Sequence, residues 1–325
     1  MPYSNFPSGF LQGVTIRGLP VLQTHTGNIF WVGNATANSL LGHRGASNNN
    51  RGTFADPFST IAYAVTQCVA NRGDIILVKP GHAETYAVAS SLTIDVAGIA
   101  IIGLGVGSLR PTITMSAAAS TIAVAASNVT VNNILFLATF VDVVTCFNVA
   151  NAQVAKELVI DSCEFRDTGT ALDFLSVLKV GTTANICDGL TFSRNKIYSL
   201  QTTGTIQSII LASIVDRLYV GSNYANYTQT SGTVACFLGL GTSLNHTNLL
   251  IEKNRILTPK TDSSNGAAVG GSGTMTGVCY DNYVANLDAT TAIWIPTGLG
   301  LMFVQNFAHI TGAVDKNALV NPAAA

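Results

Sequence analysis

The sequence predicts an all-β fold, a right-handed parallel β-helix (solenoid) with one short capping helix near its start. Two observations predict it: a strand-and-turn octet repeated through the second half, and uneven spacing between its copies. Charged residues make up 10% of the 325, and hydrophobic residues 48%. An ordinary soluble domain carries roughly 25% charge, so much of this chain's outer surface is neutral or covered.

The octet has an apolar residue at its first and third positions, then two mostly polar residues, Asn at the sixth and an apolar residue at the eighth. One copy holds Leu190, Phe192, Asn195 and Ile197; the next holds Leu218, Val220, Asn223 and Ala225. A third holds Leu249, Ile251, Asn254 and Ile256, and looser copies place Asn282 and Asn306 in the same slot. Upstream copies starting at Leu158 and Val129 keep the apolar frame but put Cys163 and Ile134 where Asn would stand. A strict period would suit an ankyrin or leucine-rich array. A fixed strand-and-turn signature separated by loops of changing length suits a β-helix, in which insertions bulge from the edge of each coil. The first and third octet positions then face inward, as the two-residue period of a strand requires. Asn falls at a bend, where its short amide accepts unusual backbone angles and bonds neighbouring groups. Stacked on successive coils, Asn195, Asn223, Asn254, Asn282 and Asn306 form a predicted ladder.

A different segment precedes the coils. Phe58, Ile61, Ala62, Val65, Cys68 and Val69 are spaced as one stripe of an amphipathic helix over about 57–70, with Asp56 as its N-cap and Pro57 in its first turn. This helix is expected to cap the open end of the solenoid, which would otherwise expose core and strand edges. The domain reading is an N-terminal arm over 1–50, the β-helix over 51–312, and a C-terminal tail over 313–325. Arg72-Gly73-Asp74, between helix and strand, reads as a turn.

The strand Ile29–Val32, the run Pro57-Phe58-Ser59-Thr60-Ile61-Ala62-Tyr63-Ala64 and the run Gly73-Asp74-Ile75-Ile76-Leu77-Val78-Lys79-Pro80-Gly81 resemble the opening of pectin-lyase-like β-helix proteins. The resemblance implies the fold and little about function, because this superfold hosts lyases, hydrolases and non-enzymatic phage proteins. Hydrolases of that family carry an Asp-Asp pair and a Gly-His-Gly turn, and neither occurs here.

The search for chemistry ends without a catalytic, cofactor-binding or metal site. The five histidines (25, 43, 82, 246 and 309) lack metal-ligand spacing. The six cysteines form no CxxC pair and read as buried free thiols. Net charge is -1 with scattered cations, which argues against nucleic acid, and no apolar run is long enough for a membrane span. The N-terminus lacks the pattern of a secretory signal. The densest charged neighbourhood contains Asp161, Glu164, Asp167 and Arg194, with Arg166, Lys196, Glu252, Lys253 and Arg255 nearby. It reads first as a solvated face of ion pairs and second as a glycan-binding face.

The second octet position should point outward. Val159, Tyr219, Leu250, Val278 and Met302 occupy it on the later coils and would stack into an apolar stripe, which monomers rarely leave bare. The expectation is a homotrimer of side-by-side β-helices. This combination resembles the β-helical virion proteins of tailed bacteriophages. The resemblance implies a non-enzymatic head decoration (cement) protein, made in the host cytoplasm, carried on the virion surface and bound to the major capsid protein. The alternative is a tail spike or fibre that binds or cleaves a host polysaccharide.

Overall fold

A computed structural model of the chain describes residues 27–35, 45–202, 206–231, 234–259, 268–286 and 301–310. It adds the backbone of the short strands Thr15–Ile16, Leu19–Pro20, Trp294–Pro296 and Asn317–Leu319. The octets fold into successive coils of a right-handed parallel β-helix, each coil laying its strands on those of the coil before. The first sheet begins at Ile29–Val32 and Ile75–Val78 and continues through Thr191–Ser193, Tyr219–Gly221 and Leu249–Glu252 to Leu301–Val304. The second runs from Ala83–Tyr86 through Lys196–Ser199, Tyr224–Tyr227 and Arg255–Thr258 to Phe307–Ile310. The third includes Leu92–Ile94, Phe147–Val149, Leu178–Val180 and Ile209–Leu211.

Period-two alternation decides which side chains meet inside. In Lys196–Ser199, Ile197 and Ser199 are buried while Lys196 and Tyr198 face out. The inward residues of the three sheets share one continuous core. Its centre is aromatic. Phe136 and Phe165 stack at 5.1 Å, Phe165 and Phe192 at 6.1 Å, and Phe147 meets Phe136 edge-on at 5.1 Å.

The bend between the first and second sheets corrects one detail of the sequence reading. The left-handed residue is the one before each Asn: φ is 54° at Arg194, 57° at Ser222, 53° at Lys253, 52° at Asp281 and 49° at Gln305. The physical reason is that the bend needs one left-handed residue whose side chain leaves the core, which frees the Asn to turn inward. All five asparagines are buried. Asn195 N donates to Asn223 Oδ1 at 2.9 Å, Asn223 N to Asn254 Oδ1 at 3.1 Å, Asn254 N to Asn282 Oδ1 at 3.0 Å, and Asn282 N to Asn306 Oδ1 at 3.1 Å. Each Nδ2 also donates to a first-sheet carbonyl, as Asn254 Nδ2 does to Val220 O at 2.9 Å. Turn amides that would be orphaned in the interior are thereby satisfied.

The capping helix is shorter than predicted, Ile61–Thr66, and Thr60 rather than Asp56 caps it, its side chain accepting from Tyr63 N. Phe58 is drawn into a bridge with Val32, its N–H donating to Trp31 O at 2.8 Å. Pro57 and Phe58 therefore extend the strand side and leave the helix to begin later. Ile61, Ala64 and Val65 face the core. Glu84 holds the helix start, accepting Ile61 N at 2.6 Å. Arg72-Gly73-Asp74 is a turn with Gly73 at φ 81°. Asp74 is buried and accepts from Asn28 N, Val69 N and the Arg72 side chain. Within the predicted arm, Ile29–Val32 pairs with Ile75–Val78; most of the rest of 1–44 lies outside the described residues. Within the predicted tail, Asn317–Leu319 pairs antiparallel with the Phe307–Ile310 strand, and 320–325 lie outside the described residues.

Candidate functional site

The ladder asparagines set the site's geometry. The residue after each Asn opens the second-sheet strand and must face outward, because the next residue faces the core. Parallel register places Lys196 beside Tyr224, Tyr224 beside Arg255, Arg255 beside Tyr283, and Tyr283 beside Phe307. Neighbouring strands lie about 4.8 Å apart, so cations and rings alternate from Lys196 to Tyr283 along one exposed column that ends in the adjacent ring of Phe307. Tyr283 and Phe307 stack at 5.0 Å, Tyr198 and Tyr224 lie 5.8 Å apart, and the Arg255 guanidinium sits 6.0 Å from the Tyr283 ring.

The left-handed bend residues form one wall beside this column. Ser222, Lys253 and Asp281 stand there, with Lys196, Tyr198, Tyr224, Arg255 and Tyr283 on the floor, around an open groove of about 610 Å³. A second depression of about 430 Å³ continues past the same rings over Leu257 and Ala285. Three cations and one carboxylate line the groove. Lys253 Nζ lies 3.7 Å from Glu252. Among the described residues, Lys196 and Arg255 make no ion pair. Their charge is available to a ligand. Exposed rings flanked by unpaired cations can stack on flat apolar faces and hold anionic groups at the same time.

The four residues of the predicted glycan face do not gather into one site. Asp161 ends a first-sheet strand and is buried, accepting from Asn132, Ser162, Ser193 and both Nε and Nη2 of Arg194. Burial pushes its carboxyl up, but the Arg194, Ser193 and Ser162 hydrogen bonds outweigh this and hold it below its ordinary value. Glu164 faces out from the second sheet, between Arg110 at 3.0 Å and Arg166. It stands beside Lys196 in the register, one coil before the groove. Asp167 points inward at the next corner, bonded by Phe174 N, Leu200 N and Ser199 Oγ. Burial pushes its carboxyl up to about 6. Three acids within seven residues thus diverge, because a bend separates the first from the second and alternation separates the second from the third.

Sequence reasoning named Lys196, Lys253 and Arg255 among the charged residues but missed Tyr224, Tyr283 and Phe307. The signal was present: the residue following each ladder Asn is Lys, Tyr, Arg, Tyr and Phe in turn.

The first-sheet column Val159, Thr191, Tyr219, Leu250, Val278 and Met302 runs in register. Its members are half-buried except Met302, which is 61% exposed. Tyr219 is also tethered, its hydroxyl donating to Glu252 at 2.9 Å. Among the described residues no cluster of His, Cys, Asp or Glu is arranged to hold a metal, and no helix is long and apolar enough to cross a membrane. All six cysteines are free and buried, and burial pushes Cys68, Cys163, Cys187 and Cys279 up to about 12.

No protein-family model matches the chain, and no curated protein matches it. A solved structure of a rhamnogalacturonan lyase is similar to it, with 14% identity over 87% of this chain and 74% of that chain, at a TM-score of 0.43. The expectation that the chain is not an enzyme is withdrawn on this finding, since the similar structure is that of a polysaccharide lyase. At that identity the likeness concerns the fold alone.

Proposed function

We propose that the protein binds an extended polysaccharide along the outer face of the second sheet, as a β-helical spike or fibre of a virion would bind a host-surface glycan. The observation that carries this reading is the in-register column Lys196, Tyr224, Arg255, Tyr283 and Phe307. A polymer lying parallel to the solenoid axis meets one of these side chains per coil. A sugar ring stacks its C–H face on a tyrosine, and its hydroxyl and acidic groups meet the flanking cations.

The test is affinity electrophoresis or calorimetry of the full chain with purified bacterial polysaccharides. Replacing both Tyr224 and Tyr283 by Ala should weaken binding about tenfold, taking each lost aromatic contact at roughly 0.5–1.5 kcal/mol. Unchanged affinity would remove the groove from the account. Shortening of the polymer during the same incubation would report cleavage.

A second reading, the trimeric head decoration protein, is favoured by the first-sheet column Val159, Tyr219, Leu250, Val278 and Met302. Three copies would bury these columns against one another and bridge major capsid protein subunits. Trimers in sedimentation and stoichiometric binding to purified heads would support it; a monomer at micromolar concentration that ignores heads would overturn it.

A further inference from the structure

We propose that the second-sheet groove selects an anionic polysaccharide, whose carboxylate or sulfate sits between Lys253 and Arg255 while the flanking sugars stack on Tyr224 and Tyr283. This rests on the polysaccharide reading and adds the chemistry of the polymer. Charge complementarity supports it. Three cations line the groove against one acid, Asp281. The chain as a whole carries a net charge of -1, so this concentration of positive charge is local.

The neighbouring coils show that the contrast is built into the column. One coil earlier, Glu164 stands at the equivalent outward position and occupies the two cations near it, Arg110 and Arg166. From Lys196 onward the column holds no acid at all. Arg255 faces solvent without a carboxylate partner among the described residues, and Lys253 lies 3.7 Å from Glu252 and 5.6 Å from the Tyr280 ring.

Order along the column narrows the ligand further. Arg255 stands between two rings, each one strand spacing away, or about 4.8 Å. A pyranose is about as long as that spacing, so a chain stacked on Tyr224 and Tyr283 presents the intervening sugar to Arg255. An acidic sugar flanked by neutral ones fits this order better than a uniformly neutral chain. A guanidinium suits the planar carboxylate or the sulfate through paired N–H donors, and Lys253 adds a point charge from the wall.

The experiment measures binding of the full chain to an alternating acidic polysaccharide, to the same polymer after carboxyl reduction or desulfation, to dextran, and to a single-stranded oligonucleotide. Lys253→Gln, Arg255→Gln and Tyr224→Ala variants are compared, with thermal melts confirming that each remains folded. The inference expects the acidic polymer to bind at least tenfold more tightly than its neutralised form, with affinity falling as salt rises. Arg255→Gln and Lys253→Gln should bring the affinities for the acidic and neutralised forms to within about threefold of each other, whereas Tyr224→Ala weakens both and keeps their ratio. Equal binding of the acidic and neutralised forms overturns the charge selection and leaves polysaccharide binding standing. Binding of no polysaccharide overturns both. Tighter binding of the oligonucleotide overturns both in favour of nucleic acid.

Discussion

Replacing Asn254 by Ala should loosen the coils around it by about 2 kcal/mol. The side chain is fully buried and works on both sides of its bend. Its Oδ1 accepts from Asn223 N at 3.1 Å and Asn223 Nδ2 at 2.9 Å; its Nδ2 donates to Val220 O at 2.9 Å and Asn282 Oδ1 at 2.9 Å. Two of these partners keep another bond after truncation: Asn223 Nδ2 still donates to Phe192 O, and Asn282 Oδ1 still accepts Asn254 N. Val220 O stays within the paired strands Tyr219–Gly221 and Leu249–Glu252, so Asn223 N is the group that loses its partner. A buried polar group left unsatisfied costs roughly 1–3 kcal/mol, so the loss is about 2 kcal/mol. Lys196→Ala, at an exposed position, should stay within about 0.5 kcal/mol. A solenoid need not unfold in one step, so the suitable assay is native-state hydrogen exchange, read strand by strand. Amides of Tyr219–Gly221, Leu249–Glu252 and Gly277–Tyr280 should lose about thirtyfold in protection, while those of Ile75–Val78 and Ala100–Gly103 keep theirs. A loss under about threefold, or one spread evenly along the chain, would refute the reasoning.

Asp167 should give stability an unusual pH slope. Its folded value, about 6, lies above the ordinary 3.8, so the native state binds the proton more tightly than the unfolded chain does. The ionised group therefore costs about 3 kcal/mol at neutral pH, and that cost is relieved as pH falls through about 6 towards 3.8. Buried His246, whose value is lowered by burial, contributes the opposite slope in both proteins compared, so the wild-type minus Asp167→Asn difference in denaturant midpoint isolates the effect. A difference that does not change with pH would contradict it. Phe165→Ala removes the ring stacked between Phe136 and Phe192 and should cost about 3–5 kcal/mol, seen as an earlier denaturant midpoint; a loss below 1 kcal/mol would mean the aromatic core is not packed as described. Thr60→Ala removes the side-chain acceptor for Tyr63 N and should cost about 1 kcal/mol, read as faster exchange confined to Ile61–Thr66.

The coils were legible because inward positions repeat. Leu190 and Phe192, Leu218 and Val220, and Leu249 and Ile251 obey one constraint, burial on a two-residue period, and that constraint leaves a mark in residue type. The helix start was misplaced because Pro57 and Phe58 satisfy helix spacing locally, whereas a tertiary bridge to Val32 claims their backbone. The site was half legible. Charge is conspicuous in a chain with so little of it, so Lys196, Lys253 and Arg255 stood out. Tyr224 and Tyr283 did not, because an aromatic in an apolar-rich sequence reads as core until the register fixes which way it faces. Asp161, Glu164 and Asp167 misled for the converse reason: nearness in sequence says little about which side of a bend or strand a carboxylate occupies.

A structure of the protein with a bound acidic oligosaccharide tests the central claim most directly. The account predicts sugar rings lying along the solenoid axis over Tyr224 and Tyr283, with an acidic group within hydrogen-bond reach of Arg255. Sugar density on the third sheet or the first sheet, with the Lys196–Phe307 column bare, would contradict it.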